Sequence, residues 1–315
     1  MQAGQRNALV NEEHGEQRTA VNARPDAAGD RGERAAIADL VRKMSYEVMP
    51  FRGIDAEVAE HVPLDIPLNV TVTEAKGVDR TLEVAESLSR RGYRVAPHLP
   101  ARQFVDEHHV AEVVARLREA AITSIFVVGG DVPTPAGKFT DAFSFLQAIE
   151  KTGHVFRDVG IPGYPEGHGF VPQQAIELAM KQKAPMATRF ITQMCFDVDA
   201  TARWADGVHA SGIDLPILVG VPGPVNRQKL VRISAGIGLG QSARFLQKQK
   251  GMLWRFLLPG GFNPNRLVNR LGETTPDRGA NIVGLHIFAF NEFRATERWR
   301  QELLAATAGD SASER

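Results

Sequence analysis

The chain has one cysteine, Cys195, and lacks a second, so an internal disulfide framework is excluded. It has no charge excess: lysine plus arginine and aspartate plus glutamate number 37 each. A balanced chain has no global field to draw in nucleic acid or an anionic membrane, so neither is expected as a partner, although local basic sites stay open. No apolar run is long enough to span a bilayer. No cluster of Cys and His completes a metal-ligand set, so no metal is expected. Residues 1–34 lack aromatics and are rich in charge, glutamine, alanine and glycine. They cannot bury enough apolar surface to offset the entropy of ordering, and a disordered tail is expected. Without an apolar segment they do not read as a secretory signal, and their acids count against an organellar transit peptide. A cytoplasmic protein is the expectation. Residues 303–315 read as a second tail, leaving 35–302 as one folded unit.

What is present is a regular alternation. Hydrophobic residues make up 43% of the 315, enough for a sizeable core. Strand-like segments fall at Met44–Met49, Leu68–Thr73, Arg94–Leu99, Ser124–Val128, Val159–Gly163, Arg189–Phe196, Ile217–Val221 and Ile282–Phe290. Several are nearly continuous apolar runs, as parallel strands buried on both faces require. Between them, Leu82, Ala85, Leu88 and Ser89 recur at helical spacing, as do Val110, Val113, Val114 and Leu117, and Phe143, Leu146 and Ile149. Gly92, Gly153 and Gly212 stand between a helix and the next strand, where a left-handed residue ends a helix. Eight strands with intervening helices predict a single-domain α/β fold, a closed (β/α)8 TIM barrel. An open doubly wound sheet is the alternative, but no Gly-x-Gly-x-x-Gly turn follows the first strand. Between the seventh and eighth strands, the Gly236-Ile-Gly238-Leu-Gly240 run reads as a backbone-amide phosphate contact or, more commonly, as a loop or helix entry.

A barrel builds its site where strands end and the following loops begin. Glu47 alternates with apolar neighbours in the first strand; it is a salt-bridged structural carboxylate or a general acid whose proton affinity burial raises. Asp131 follows Val-Val-Gly-Gly at the fourth strand's end, where Gly130 lets a ligand approach the backbone, although a turn or cap aspartate is equally at home there. Gln193, inside the sixth strand, needs partners for its amide, from protein or from the polar edge of a heterocycle. Tyr164, Glu166 and His168 share a Gly/Pro-framed loop after the fifth strand. His98 closes the third strand as a core histidine or a ligand contact. Cys195 has no activating base beside it and reads as a small buried hydrophobe.

Taken together, Ser-Tyr-Glu-Val-Met-Pro, Ala-Pro-His-Leu, Gly-Gly-Asp, Tyr-Pro-Glu-Gly-His and Ile-Thr-Gln-Met-Cys-Phe-Asp stand in the order, and at similar separations to, the motifs of methylenetetrahydrofolate reductases. The chain resembles that family from Met44 to Glu292. The resemblance implies an oxidoreductase that reduces 5,10-methylenetetrahydrofolate to 5-methyltetrahydrofolate with NADH or NADPH as hydride donor. It implies that Glu47 is the general acid. Asp131 would hold the pterin and stabilise the cationic intermediate, Gln193 would hold the pterin, and Asn291, after the last strand, would contact substrate. Thr73, His98, Gly130, Tyr164, His168 and Lys183 fall at cofactor-binding positions.

Most members of the family carry FAD, and here the flavin-contacting segments are altered. A Thr-Tyr-Gly-Ala loop is replaced by Thr73-Glu74-Ala75-Lys76, an Arg-Gly-Asp by Gly129-Gly130-Asp131, and a Lys-x-Asp-Ala-Gly-Ala stretch by Lys183-Ala-Pro-Met-Ala. The resemblance is therefore to a flavin-independent branch, with direct hydride transfer. The alternatives are a conventional FAD-dependent reductase, a barrel acting on another pterin or using a deazaflavin donor, and a catalytically silent folate-binding barrel. Arg227, Lys229 and Arg232 are candidates by charge for the glutamate tail of folate.

Overall fold

The computed structural model describes residues 27–73, 76–154, 156–169, 171–225, 264–274 and 281–308. Residues 1–26 and 309–315, the Gly236–Gly240 run, Glu74, Ala75 and the three basic candidates between 227 and 232 lie outside the described residues.

Eight parallel strands close into a barrel in sequence order. They are β1 Ser45–Val48, β2 Leu68–Val70, β3 Val95–Pro100, β4 Ser124–Val128, β5 Asp158–Gly163, β6 Arg189–Met194, β7 Ile217–Pro222 and β8 Ile282–Phe288. β8 returns to β1 through Ser45 opposite His286 and Tyr46 opposite Ile287. All eight predicted segments are strands, each within a few residues of the expected bounds. The helices are α1 Ala27–Arg42, α2 Ile54–His61, α3 Gly77–Arg90, α4 Glu107–Glu119, α5 Ala142–Lys151, α6 Gln173–Lys183, α7 Val198–Ala210, α8 Asn265–Thr274 and α9 Phe293–Ala308. No helix among the described residues is long and apolar enough to cross a membrane.

Each strand splits its side chains between two environments, because alternate residues face opposite sides of the sheet. On β1, Tyr46 and Val48 pack outwards beneath the helices with no exposure, while Ser45 and Glu47 face the barrel interior. The helices bury the stripes read from the sequence: Leu82, Ala85 and Leu88 on α3, and Val110, Val113, Val114 and Leu117 on α4. Asp106, Asp141 and Asp197 cap α4, α5 and α7 by accepting from backbone amides of the first turn.

Two boundaries move. α1 begins at Ala27, inside the stretch expected as a tail. Its Ile37, Leu40 and Val41 are buried, and helix elongation from such an anchored turn is favourable even through residues that would not nucleate one. The contact with α8 is close: a Cβ on Gly272 would stand 2.3 Å from Ile37 Cγ1. At the other end, α9 runs past residue 302 to Ala308 and buries Leu303.

Candidate active site

A cavity of about 820 Å³ opens at the C-terminal ends of the strands. Its lining includes Glu47, Thr73, His98, Gly130, Asp131, Tyr164, His168, Lys183 and Gln193. Nine of the ten positions that the resemblance assigns to acid, substrate or cofactor thus meet in one space, although they come from six strands, the loops that follow them and the end of α6. The tenth, Asn291, is not among the lining residues. Its amide oxygen accepts from Met49 N at 2.9 Å, and its amide nitrogen donates to Met49 O at 3.0 Å. These two bonds tie the end of β8 to the end of β1.

Glu47 sits in the cavity floor, ringed by the barrel strands. Burial pushes its carboxyl up to about 7, because the low-dielectric surroundings disfavour the charged form. A salt bridge, the structural reading of this glutamate, is not present among the described residues.

Tyr164 lies nearby with its phenol pushed up by burial and by the Asp131 carboxylate, so it stays a hydrogen-bond donor. Its ring meets that of His168 edge-on, with centroids 4.9 Å apart. Burial lowers Lys183 to about 8, with Asp141 opposing the shift. Gly130 has φ 91°, and a Cβ there would stand 3.0 Å from Pro100 Cβ, so the tight approach of this loop to β3 requires glycine.

Gln193 is aimed by a register shift. The β6–β7 pairing slips between Ile191 and Met194, and a bulge of this kind re-aims a side chain. The Gln193 carbonyl accepts from Thr192 Oγ1 at 2.9 Å and from Cys195 Sγ at 3.0 Å. Gly220 makes room for the bulge: a Cβ there would stand 2.5 Å from the Thr192 carbonyl oxygen. Cys195 is 2% exposed with its thiol pushed up to about 12, which suits the packing role read for it and not that of a nucleophile.

Glu166 turns out to be an anchor. One carboxylate oxygen accepts from Phe196 N at 2.6 Å and Asp197 N at 2.8 Å, stapling the loop of Tyr164 and His168 to the segment after Gln193. Charge-assisted bonds of this kind are the stronger class. Glu166→Ala is expected to cost about 1–3 kcal/mol in denaturant titration and to raise the substrate KM more than it lowers kcat.

Arg102 was not singled out in the sequence, where an arginine after a strand carries no special signal. Its guanidinium donates to the carbonyls of Val132 at 2.8 Å, Pro133 at 2.6 Å and Thr140 at 3.1 Å. It therefore fixes both ends of the loop that carries Asp131. Arg102→Met is expected to lower kcat/KM by roughly 10–100-fold through misplacement of Asp131, with Glu47's pH profile unmoved. An unchanged kcat/KM would show that the loop holds its shape without these bonds. His286 was also missed. It is a polar residue inside the apolar run Ile-Val-Gly-Leu-His-Ile-Phe, 1% exposed, and it lines the cavity floor.

Comparison with known proteins gives a consistent answer. A family model described as methylenetetrahydrofolate reductase matches residues 43–238. The 5,10-methylenetetrahydrofolate reductase of Pectobacterium carotovorum subsp. carotovorum is 30% identical over 199 residues, which cover 59% of this chain and 66% of the relative. That of Escherichia coli strain K12 is 31% identical over 146 residues, 45% of this chain and 49% of the relative. Methylenetetrahydrofolate reductase 2 of Saccharomyces cerevisiae is 36% identical over 110 residues, 31% of this chain and 18% of the relative. The chain thus spans from about two thirds down to a fifth of the length of these curated relatives.

Proposed function

The chain belongs to the methylenetetrahydrofolate reductase family, and from that premise we propose that it reduces 5,10-methylenetetrahydrofolate to 5-methyltetrahydrofolate with hydride taken directly from NADH or NADPH. The observation that carries the reading is Glu47: a carboxyl held near 7 in the floor of the cavity that Asp131 and Gln193 also line. A silent folate-binding barrel has no use for such an acid.

The chemistry follows from the side chains. Protonated Glu47 gives its proton to the bridging nitrogen that leaves the methylene carbon, and the five-membered ring opens to an iminium cation. Asp131 stabilises that cation and, with Gln193, holds the polar edge of the pterin. Tyr164, kept protonated, adds a donor. Hydride from the dihydronicotinamide reaches the methylene carbon, giving the methyl group and oxidised nicotinamide. Each part relies on fixed charges and orientation, the two effects that a rigid barrel rim supplies best.

Among the described residues, the cavity lining does not fit a resident FAD. Its pyrophosphate would need cations turned towards it, and among the described residues the cavity lining offers Arg102 and Lys183. Arg102 is committed to three carbonyls. Lys183 is buried with a lowered proton affinity and has Asp141 within electrostatic reach. Position 129, where the family has arginine, is glycine. A diffusing dinucleotide that binds and leaves each turnover needs less than a resident one, so the same lining suits a nicotinamide donor.

The test is to purify the protein, establish by its absorbance that it carries no flavin, and follow NADH oxidation on adding methylenetetrahydrofolate. Immediate substrate-dependent oxidation is expected. Oxidation that begins only after FAD is supplied would sink direct transfer and restore the conventional reading.

A further inference from the structure

The proposed reaction consumes one proton per turnover from Glu47. That carboxylate, in the cavity floor, must then be recharged before the next turnover. The barrel interior behind it is unusually polar. Asn69 stands opposite Glu47 in the β1–β2 register and is 1% exposed. Ser45, two residues before Glu47 and so on the same face, stands opposite His286, and Ser45 Oγ lies 2.9 Å from His286 Nδ1. His98 closes the ring from β3, opposite Phe126.

Below them, Gly160 pairs with both Phe126 and Arg189, and a Cβ on Gly160 would stand 3.4 Å from Arg189 Nε, which places that guanidinium inside the barrel. Arg189 in turn pairs with Asp158 at the strand starts, where the Asp158 side chain is 29% exposed. Polar groups therefore run from the strand-start end of the barrel up to Glu47.

These groups are not satisfied by one another. Asn69 Oδ1, His98 Nε2 and Arg189 Nε are shut off from solvent and have no hydrogen-bond partner among the described residues. Buried polar groups are almost always bonded to protein or to ordered water, and a polar interior with several such groups is the kind that holds water. Burial and the Arg189 charge lower His98 to about 3, and the same two causes with His98 lower His286 to about 3. Both imidazoles are neutral, each with one donor and one acceptor nitrogen, as a relay needs.

We propose that ordered water held by Asn69, His98, His286 and Arg189 forms a proton route from the strand-start end of the barrel to Glu47, so that the acid is recharged from behind. The inference rests on the acid role of Glu47. The step balances: Glu47 loses its proton to the leaving nitrogen, hydride passes from the dihydronicotinamide to the methylene carbon, and the carboxylate takes a proton from the nearest water, which is replaced along the chain from solvent. Asn69 and His286 touch no reacting atom in this scheme; they act through Glu47.

The route separates the first turnover from later ones. Below pH 7 Glu47 starts mostly protonated, so the first hydride transfer there does not need recharging. Asn69→Leu, close in volume but without polar atoms, is expected to keep the single-turnover rate within about twofold while steady-state kcat falls roughly tenfold or more, giving a burst of one product per site. Asn69→Ser, which leaves room for a further water, is expected to restore most of the steady-state rate. Loss of both rates by the same factor in Asn69→Leu, or of neither, would overturn the route. A high-resolution crystal structure of the wild-type protein gives a readout that needs no activity: water at Asn69 Oδ1 and His98 Nε2 is expected, and a dry interior would refute the route. A wild type that oxidises no nicotinamide donor yet holds those waters would instead count against the proposed reaction.

Discussion

Glu47→Gln is expected to lower kcat by roughly 10²–10⁴, with methylenetetrahydrofolate affinity changed only modestly. The amide keeps the size of the carboxyl and the ability to hydrogen-bond, but it has no proton to give to the leaving nitrogen. The pH profile tests the same group independently. Glu47 must be protonated to act, and burial holds it at about 7. Wild-type kcat should therefore be high below neutral pH and fall above it, by up to tenfold per pH unit once Glu47 is ionised. The residual activity of Glu47→Gln should lack that limb. Wild-type turnover in Glu47→Gln would remove this carboxyl from the mechanism and favour a barrel that binds folate by other means.

The same substitution is expected to make the protein more stable at alkaline pH. Glu47 ionises at about 7 in the folded protein against an ordinary value of 4.5. The folded state holds the proton more tightly than the unfolded state. Stability is then unaffected below the unfolded value, declines as pH rises from there, and stops declining above about 7. The full difference corresponds to about 3–4 kcal/mol. Glutamine carries no such penalty. Glu47→Gln should exceed the wild type in denaturant titration by about 3–4 kcal/mol at pH 8 and by less than about 1 kcal/mol at pH 5. Equal stabilities at pH 8 would mean that Glu47 is solvated in the folded protein, and the proton-holding role would fall with it. Lost activity joined to gained stability is the mark of a group retained for chemistry.

The barrel was legible because its signals are local and repeated. Apolar runs of strand length, helical stripes such as Leu82, Ala85 and Leu88, and glycines at helix ends each report on a few neighbouring residues, and a barrel needs only that they recur in order. The cavity was legible for a related reason. Residues at strand ends gather at one rim whatever the loops do, which is why Glu47, Asp131, Tyr164 and Gln193 meet although more than 140 positions separate the first from the last.

What the sequence did not reveal has a common origin in partners distant along the chain. Asn291 stands after the last strand, and its amide bonds Met49, 242 residues away. Glu166 looks like a functional loop carboxylate, but the amides of Phe196 and Asp197 claim it. Arg102 gives no sign in the sequence of the three carbonyls that it holds. Helix α1 begins early because α8 and β8, formed from the far end of the chain, supply the surface that its apolar face covers.

By itself the sequence determined the eightfold alternation and the strand-end location of Glu47, Asp131 and Gln193, with glycine at position 129. These depend on residue type and spacing, which chain order records directly. Only the tertiary structure shows that burial raises the proton affinity of Glu47, that Asn291 bonds Met49 and Glu166 bonds the amides of Phe196 and Asp197, and that polar groups from six strands line the barrel interior. Proton affinity and hydrogen-bond satisfaction are set by what surrounds a group in space, and closing the barrel is what brings those surroundings together.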